Sequence, residues 1–215
     1  MKLYTYWRSS SAWRVRIALH LKGLSFESVP VHLLQDGGQQ TSEAYRKINP
    51  MAQVPCLELT EHGKTHFMTQ SMAIIEYLDE VHPKPPLLSS DPGTRYRARQ
   101  IAEIINSGIQ PMQNLRVLRA VDAWGGDRKA WIQPFMEKGL AAVEALLDPK
   151  SGPFALGERP TLADVFIVPQ LYGARRFGVE LSGMAGLLRI ERSAEAHPAF
   201  RAAHPSAQPD APEQQ

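Results

Sequence analysis

The chain has 215 residues with 24 Lys and Arg against 22 Asp and Glu, a net charge of +2, and no basic block of the kind a nucleic-acid binder carries. Hydrophobic residues make up 43%, enough for one large or two small cores, yet no run approaches the roughly 18 apolar residues of a membrane span. The single cysteine, Cys56, excludes an internal disulfide, a CxxC redox pair and a multi-cysteine zinc site, no close histidine spacing suggests a metal, and a reducing cytoplasm is the expected compartment.

The spacing predicts a strand over Leu3–Trp7 and an amphipathic helix over about Ala12–Lys22, with Val15, Ile17, Ala18, Leu19 and Leu21 on its apolar face. Between them stand Arg8, Ser9, Ser10 and Ser11, and just inside the helix Arg14 and Arg16. A helix N-terminus has unpartnered N–H groups and the positive end of the dipole, so it takes an anion or a thiolate well. One serine there is an ordinary cap. Three in succession flanked by arginines exceed that need and mark a candidate site.

Ser25–His32 is predicted as a second strand, placed at a sheet edge because Pro30 has no ladder donor. Thr41–Ile48 reads as a short helix, Val54–Leu59 as a third strand, and Thr65–Met68 as a fourth after a turn at Gly63. Pro55 is either the start of an edge strand or a cis turn that presents the Val54 backbone to a ligand. Ser71–Glu80 is a helix with Met72, Ile75, Tyr77 and Leu78 on its buried side. At its start, Thr69-Gln70-Ser71 is either a plain cap or a second anion site with Ser71 holding a carboxylate. The order β-α-β-α-β-β-α is that of an α/β mixed sheet covered by helices.

His82–Gly93 contains four prolines in twelve residues and reads as a linker. Beyond it every periodic stretch is helical. Thr94–Val121 reads as one helix kinked or split at Pro111, Lys129–Leu147 as a second, a third starts at the capping-box-like Thr161-Leu-Ala-Asp164, and Met184–Ala196 is a fourth. The expected layout is a domain over 1–82, a linker over 83–93, an all-helical domain over 94–204 and a disordered tail over 205–215.

Six segments carry a family resemblance: RSSSAWRVRIALHLKG (8–23), LLQDGGQQ (33–40), NPMAQVPCL (49–57), TQSMAIIEYLDE (69–80), SGIQPMQNLRVL (107–118) and ARRFGVEL (174–181). Together they resemble the glutathione transferases, and among these the zeta class. The first segment is specific to that class; the proline turn and the Gln-Ser pair are shared across the family.

The resemblance implies a thioredoxin-like N-terminal domain followed by an all-helical C-terminal domain, with glutathione as cofactor. It implies a homodimer that binds neither nucleic acid nor membrane. Ser9 matches the serine that hydrogen-bonds the glutathione sulfur, and Ser10 and Ser11 complete the catalytic run. The third position is usually cysteine in the class, so Ser11 puts thiol-transfer side activities in doubt. Gln40, Val54, Pro55, Gln70 and Ser71 match glutathione-binding positions, and Gln110 and Asn114 match further glutathione or substrate contacts. Arg8 and Arg176 match arginines that clamp the carboxylates of a dicarboxylate substrate. The implied reaction is the isomerisation of maleylacetoacetate to fumarylacetoacetate by thiolate addition, bond rotation and elimination. Maleylpyruvate or α-halo acids are the alternative substrates, and a non-catalytic glutathione-binding module is the remaining reading.

Overall fold

The structure is a computed structural model that describes residues 1–212. It divides into two compact units, Met1–Pro85 together with the chain from His197 onward, and Pro86–Ala196.

The first unit is built on a four-stranded sheet ordered β2-β1-β3-β4, with β1 Lys2–Thr5, β2 Glu27–Pro30, β3 Cys56–Glu61 and β4 Lys64–Thr69. β1 runs parallel to β2, pairing Leu3 with Ser28, and antiparallel to β3, pairing Leu3 with Leu57. β3 and β4 form a hairpin turned at Gly63, whose φ of 76° suits glycine. Pro30 does lie at an edge, since β2 pairs with β1 alone.

Helices α1 (Ser10–Leu21) and α3 (Ser71–Val81) pack side by side. α1 is buried from Ala12 through Leu19, Arg14 and Arg16 included, which makes it a core helix and not the one-sided amphipathic helix expected. The predicted helix over Thr41–Ile48 divides into a 3-10 turn, Gln39–Thr41, and α2 (Glu43–Ile48), because Ser42 is extended and caps Tyr45 N–H at 3.2 Å.

The second unit holds α4 (Pro92–Glu103), α5 (Leu115–Ala123), α6 (Arg128–Leu146), α7 (Leu162–Arg176) and α8 (Ala185–Ala196) around buried Ile101, Ile105, Ile132, Met136, Phe166 and Ile190. Of the two outcomes expected for Thr94–Val121, a kink or a split at Pro111, the structure shows the split. α4 loosens into a wide π-type turn over Ile104–Ile109, with Gln110 N–H donating to Ile105 C=O at 2.8 Å. Pro111, having no N–H, follows the turn, and Asn114 caps α5. Pro169 lies inside α7, and Arg176 closes that helix rather than lying beyond it.

Two domain expectations need correction. Residues 83–93 are not a free linker: Leu87 is buried and its carbonyl accepts from Leu162 N–H at 2.9 Å, while Pro92 already opens α4. Upstream, the buried Lys22 ammonium donates to Asp79 and to the carbonyls of His82 and Pro85. The tail is not disordered as far as residue 212. α9 (Pro198–Ala203) packs on α1, so it belongs to the first unit and not to the helical domain. A 3-10 turn at Pro205–Ala207 follows, and Gln208 Nε2 donates to the carbonyls of Ala202 and His204 at 3.0 and 2.9 Å. Hydrogen bonds rather than an apolar repeat hold this segment, so periodicity did not reveal it. Residues 213–215 lie outside the described residues.

Candidate active site

Ser9 ends the β1–α1 loop and caps α1. Its Oγ accepts from Ala12 N–H at 3.2 Å, its own N–H donates to Tyr6 C=O at 2.9 Å, and its carbonyl accepts from Trp13 N–H at 2.8 Å. A hydroxyl that accepts through oxygen still has its proton to donate. Ser10 and Ser11 are the first two helical residues, so their N–H groups are among those a helix leaves without an acceptor. All three serines are half-buried. Arg8 lies over the Trp7 ring at 5.2 Å.

Arg14 and Arg16 do not flank this site as exposed charges. Both are fully buried. Arg16 donates to Thr5 Oγ1, to the carbonyls of Tyr6 and Trp7, and to Ala203 C=O, at 2.8–3.3 Å. Burial lowers its pKa to about 10, partly offset by the Asp210 carboxylate. The continuous apolar run around both arginines was the signal that this helix lies inside the core.

The Val54–Pro55 bond is cis. Val54 packs in one cluster with Tyr6, Ala12, Val31 and Tyr45, which sets it beside the start of α1. The loop before it is held by two donors to Gln53 C=O, Tyr45 Oη at 2.8 Å and Asn49 Nδ2 at 2.7 Å. Neither residue stood out in the sequence. Gln40 is buried in its 3-10 turn, and its Oε1 has no hydrogen-bond partner among the described residues. Gly38 cradles that amide at a φ of 105°; a Cβ there would meet the Gln40 amide at 2.5 Å and Leu33 C=O at 2.8 Å.

Gln70 precedes α3 with φ 70° and ψ 110°, a conformation uncommon outside glycine. It makes no side-chain cap to α3. Ser71 follows as the first helical residue; it is buried, and Arg14 Nη1 donates to its Oγ at 3.5 Å. The starts of α1 and α3 are thus tied through one buried guanidinium.

The other expected residues lie in the second unit. Gln110 follows the π-type turn and accepts at Oε1 from Gln113 Nε2 at 3.0 Å; the same Gln113 nitrogen donates to the buried Gln170 Oε1 at 2.8 Å. Gln113 and Gln170 were not anticipated, for they meet across 57 residues. Asn114 caps α5, its Oδ1 accepting from Arg116 N–H at 3.0 Å. Arg176 is exposed, its guanidinium 5.9 Å from the Phe177 ring centre. Its neighbour Arg175 pairs with Glu191. No group of three or more His, Cys, Asp or Glu among the described residues is placed to hold a metal.

The first unit therefore offers two helix starts whose N–H groups suit an anion, a buried amide oxygen that has no partner among the described residues and can accept from a peptide N–H, and a cis-proline turn. Residues 3–86 match the model of the glutathione S-transferase N-terminal domain and residues 129–204 that of the C-terminal domain. The chain is 49% identical to the maleylacetoacetate isomerase of Pseudomonas aeruginosa, with 99% of each chain covered. It belongs to the glutathione S-transferase family.

Its relatives within the family are zeta-class enzymes. The crystal structure of maleylacetoacetate isomerase from Anaeromyxobacter dehalogenans, with GSH in the active site, superposes with a TM-score of 0.90 at 50% identity, covering 98% of this chain and 97% of that one. The same relative has been solved with dicarboxyethyl glutathione and citrate bound. A bacterial zeta-class maleylpyruvate isomerase in holo form gives a TM-score of 0.92 at 40% identity, covering 99% and 100%.

Proposed function

We propose that this chain is a glutathione-dependent cis–trans isomerase that converts maleylacetoacetate to fumarylacetoacetate. The observation that carries the reading is Ser9: its oxygen caps α1 while its proton remains to donate, at a helix start whose next two N–H groups have no helical acceptor. The 49% identity to a maleylacetoacetate isomerase supports the choice of substrate.

The residues fit glutathione. Ser71 and the first turn of α3 suit its γ-glutamyl carboxylate, the Val54 backbone its cysteinyl amide, and the buried Gln40 amide its glycine end. Pro55 and Gln70 set the backbone at two of these contacts, and the family resemblance assigns Gln110 and Asn114 further glutathione or substrate contacts. Bound glutathione supplies a nucleophilic thiolate that adds to the cis double bond and is released again after rotation.

The protein's task is to make that thiolate available. A free thiol of pKa near 8.5 is only about 3% ionised at neutral pH. Lowering the pKa by roughly two units takes ~2.7 kcal/mol. A charge-assisted hydrogen bond from Ser9 contributes ~1.5–3 kcal/mol and the helix start ~0.3–1 kcal/mol. These suffice without a cysteine or histidine base. Arg8 and Arg176 hold the substrate's carboxylates, whose planar geometry matches the guanidinium fork.

The enzyme acts as a homodimer in the cytoplasm. Support for the dimer is a surface groove of about 590 Å³ between α4 and α6, where Tyr96 is 63% exposed and Phe135 37%. No described helix is long and apolar enough to cross a membrane, and the one cysteine, Cys56, is buried with its thiol pushed up to about 12 by burial.

The deciding experiment follows loss of maleyl absorbance, with and without glutathione, on maleylacetoacetate and maleylpyruvate side by side. Faster glutathione-dependent turnover of maleylacetoacetate is expected. The maleylpyruvate reading, favoured by the 0.92 TM-score to a maleylpyruvate isomerase, takes its place if the order is reversed. No turnover of either overturns both.

A further inference from the structure

The loop that presents Ser9 is gripped by the far end of the chain. Trp7, two residues before Ser9, has both its backbone polar groups bound by side chains. Its N–H donates to Asp210 Oδ2 at 2.8 Å, and its carbonyl accepts from Arg16 Nη2 at 2.9 Å. Arg16 Nη1 also donates to Tyr6 C=O at 3.3 Å, the same carbonyl that accepts from Ser9 N–H at 2.9 Å. Arg16 Nε donates to Ala203 C=O at 3.2 Å, at the end of α9. The buried guanidinium and the tail carboxylate thus hold the peptide units on either side of Trp7.

Several features set Asp210 apart from a surface residue that happens to lie nearby. It is 203 positions from its partner in sequence. Its second oxygen, Oδ1, is buried and has no hydrogen-bond partner among the described residues. A buried carboxylate oxygen left unpaired is costly. The carboxylate is held there by its neighbours: Gln208 ties the preceding turn to Ala202 and His204, and the charge of Asp210 favours the cationic form of Arg16.

We propose that the C-terminal segment after α9 is a positioning element for the thiol site, with Asp210 as the positioning residue that fixes the Trp7 peptide and, through it, the aim of the Ser9 hydroxyl. Asp210 does not touch the reacting atoms. It limits the freedom of the two residues before Ser9, so the hydroxyl proton stays directed at one place. Hydrogen-bond strength falls steeply with misalignment, so a small rotation of this loop weakens the bond that stabilises the thiolate. This inference rests on the reading of Ser9 as the sulfur ligand.

The test is the pKa of the bound glutathione thiol, titrated through the ultraviolet absorbance of its thiolate in the wild-type complex and in Asp210→Ala and Asp210→Asn. Asp210→Ala should raise that pKa by roughly 0.5–1 unit and lower kcat/KM at neutral pH about 3- to 10-fold. The loss should shrink at alkaline pH, where the thiol ionises without help. Asp210→Asn, whose amide oxygen accepts the same Trp7 N–H, should restore most of both. If Asp210→Ala does not fold, Asp210→Glu takes its place; it keeps the charge but shifts the oxygen by a methylene, and should raise the thiol pKa above that of the Asn variant. A lowered melting temperature with the thiol pKa and the pH profile unmoved would overturn the proposal and leave Asp210 a structural residue. A wild-type complex with no thiolate band would overturn this proposal and the reading of Ser9 together; a normal wild-type band that every Asp210 variant retains unshifted removes only the role of the tail.

Discussion

Ser9 uses one hydroxyl for two purposes, closing a helix and, on the proposed reading, donating to sulfur. Removing it separates them. A cap replacement costs about 1 kcal/mol, which a folded domain of this size tolerates. Ser9→Ala should therefore stay folded by circular dichroism yet lose about tenfold or more in turnover, since the thiolate loses its charge-assisted donor. Ser10→Ala and Ser11→Ala are the comparisons; full activity in Ser9→Ala with loss in one neighbour would move the sulfur ligand. The serines were legible in the sequence because a hydroxyl run between a strand and a helix has few other uses. The arginines beside them were not read correctly. They were read as flanking the serine run, but Arg14 and Arg16 are fully buried and spend their donors on Ser71, on Thr5 Oγ1 and on backbone carbonyls. The apolar run around both arginines was the local sign of burial; which partners they meet was not visible in it.

Among the elements, α7 shows how a cap can carry a titration. Asp164 Oδ2 accepts from Thr161 N–H and Oγ1 at 2.8 and 3.0 Å, and Oδ1 from Ala155 N–H at 2.7 Å. The capping box was visible in Thr161 and Asp164; the reach to Ala155 was not. Burial raises the Asp164 pKa from 3.8 to about 6 against these three donors. The sign follows from linkage. The folded state keeps its proton between about pH 4 and 6 where the unfolded chain has lost it, so the contribution is fully present below pH 4 and is lost as pH rises through 6. Asp164→Asn cannot titrate. Urea unfolding of both proteins from pH 4 to 7 should show the wild type losing about 3 kcal/mol relative to the variant. A constant difference would mean that the donors cancel the effect of burial. The strands were legible for a simpler reason: each is a short run bounded or marked by a turn or edge signal such as Pro30 or Gly63. The split near Pro111 was legible, but the wide turn over Ile104–Ile109 and the Asn114 cap that begins α5 were not.

At the scale of the whole molecule, the substrate contact proposed for Arg176 can be tested apart from the thiol. Arg176 lies in the second unit, at the end of α7, and the proposal gives it a substrate carboxylate rather than the sulfur. Arg176→Ala should lower kcat/KM for the diacid roughly 10- to 100-fold, the loss of one charge-assisted carboxylate contact, while glutathione affinity by calorimetry barely moves. Turnover of a neutral electrophile by the same preparation should survive. Equal loss on both substrates, or on neither, would remove Arg176 from the substrate site.

The sequence by itself determined the α/β and helical organisation, the helix starts at Ser9 and Ser71, and the family, because periodicity, caps and motif spacing are local and each was present in the chain. Only the tertiary structure decided that Val54–Pro55 is cis, that Arg14 links Ser71 to α1, and that Gln113 joins Gln110 to Gln170. It also decided that the chain from His197 returns to the first unit, where Asp210 grips Trp7. The pairs Arg14–Ser71, Gln113–Gln170 and Asp210–Trp7 join residues 57 or more positions apart. Such contacts depend on which donor is brought to which acceptor once the core has closed, and no residue's neighbours in sequence carry that information.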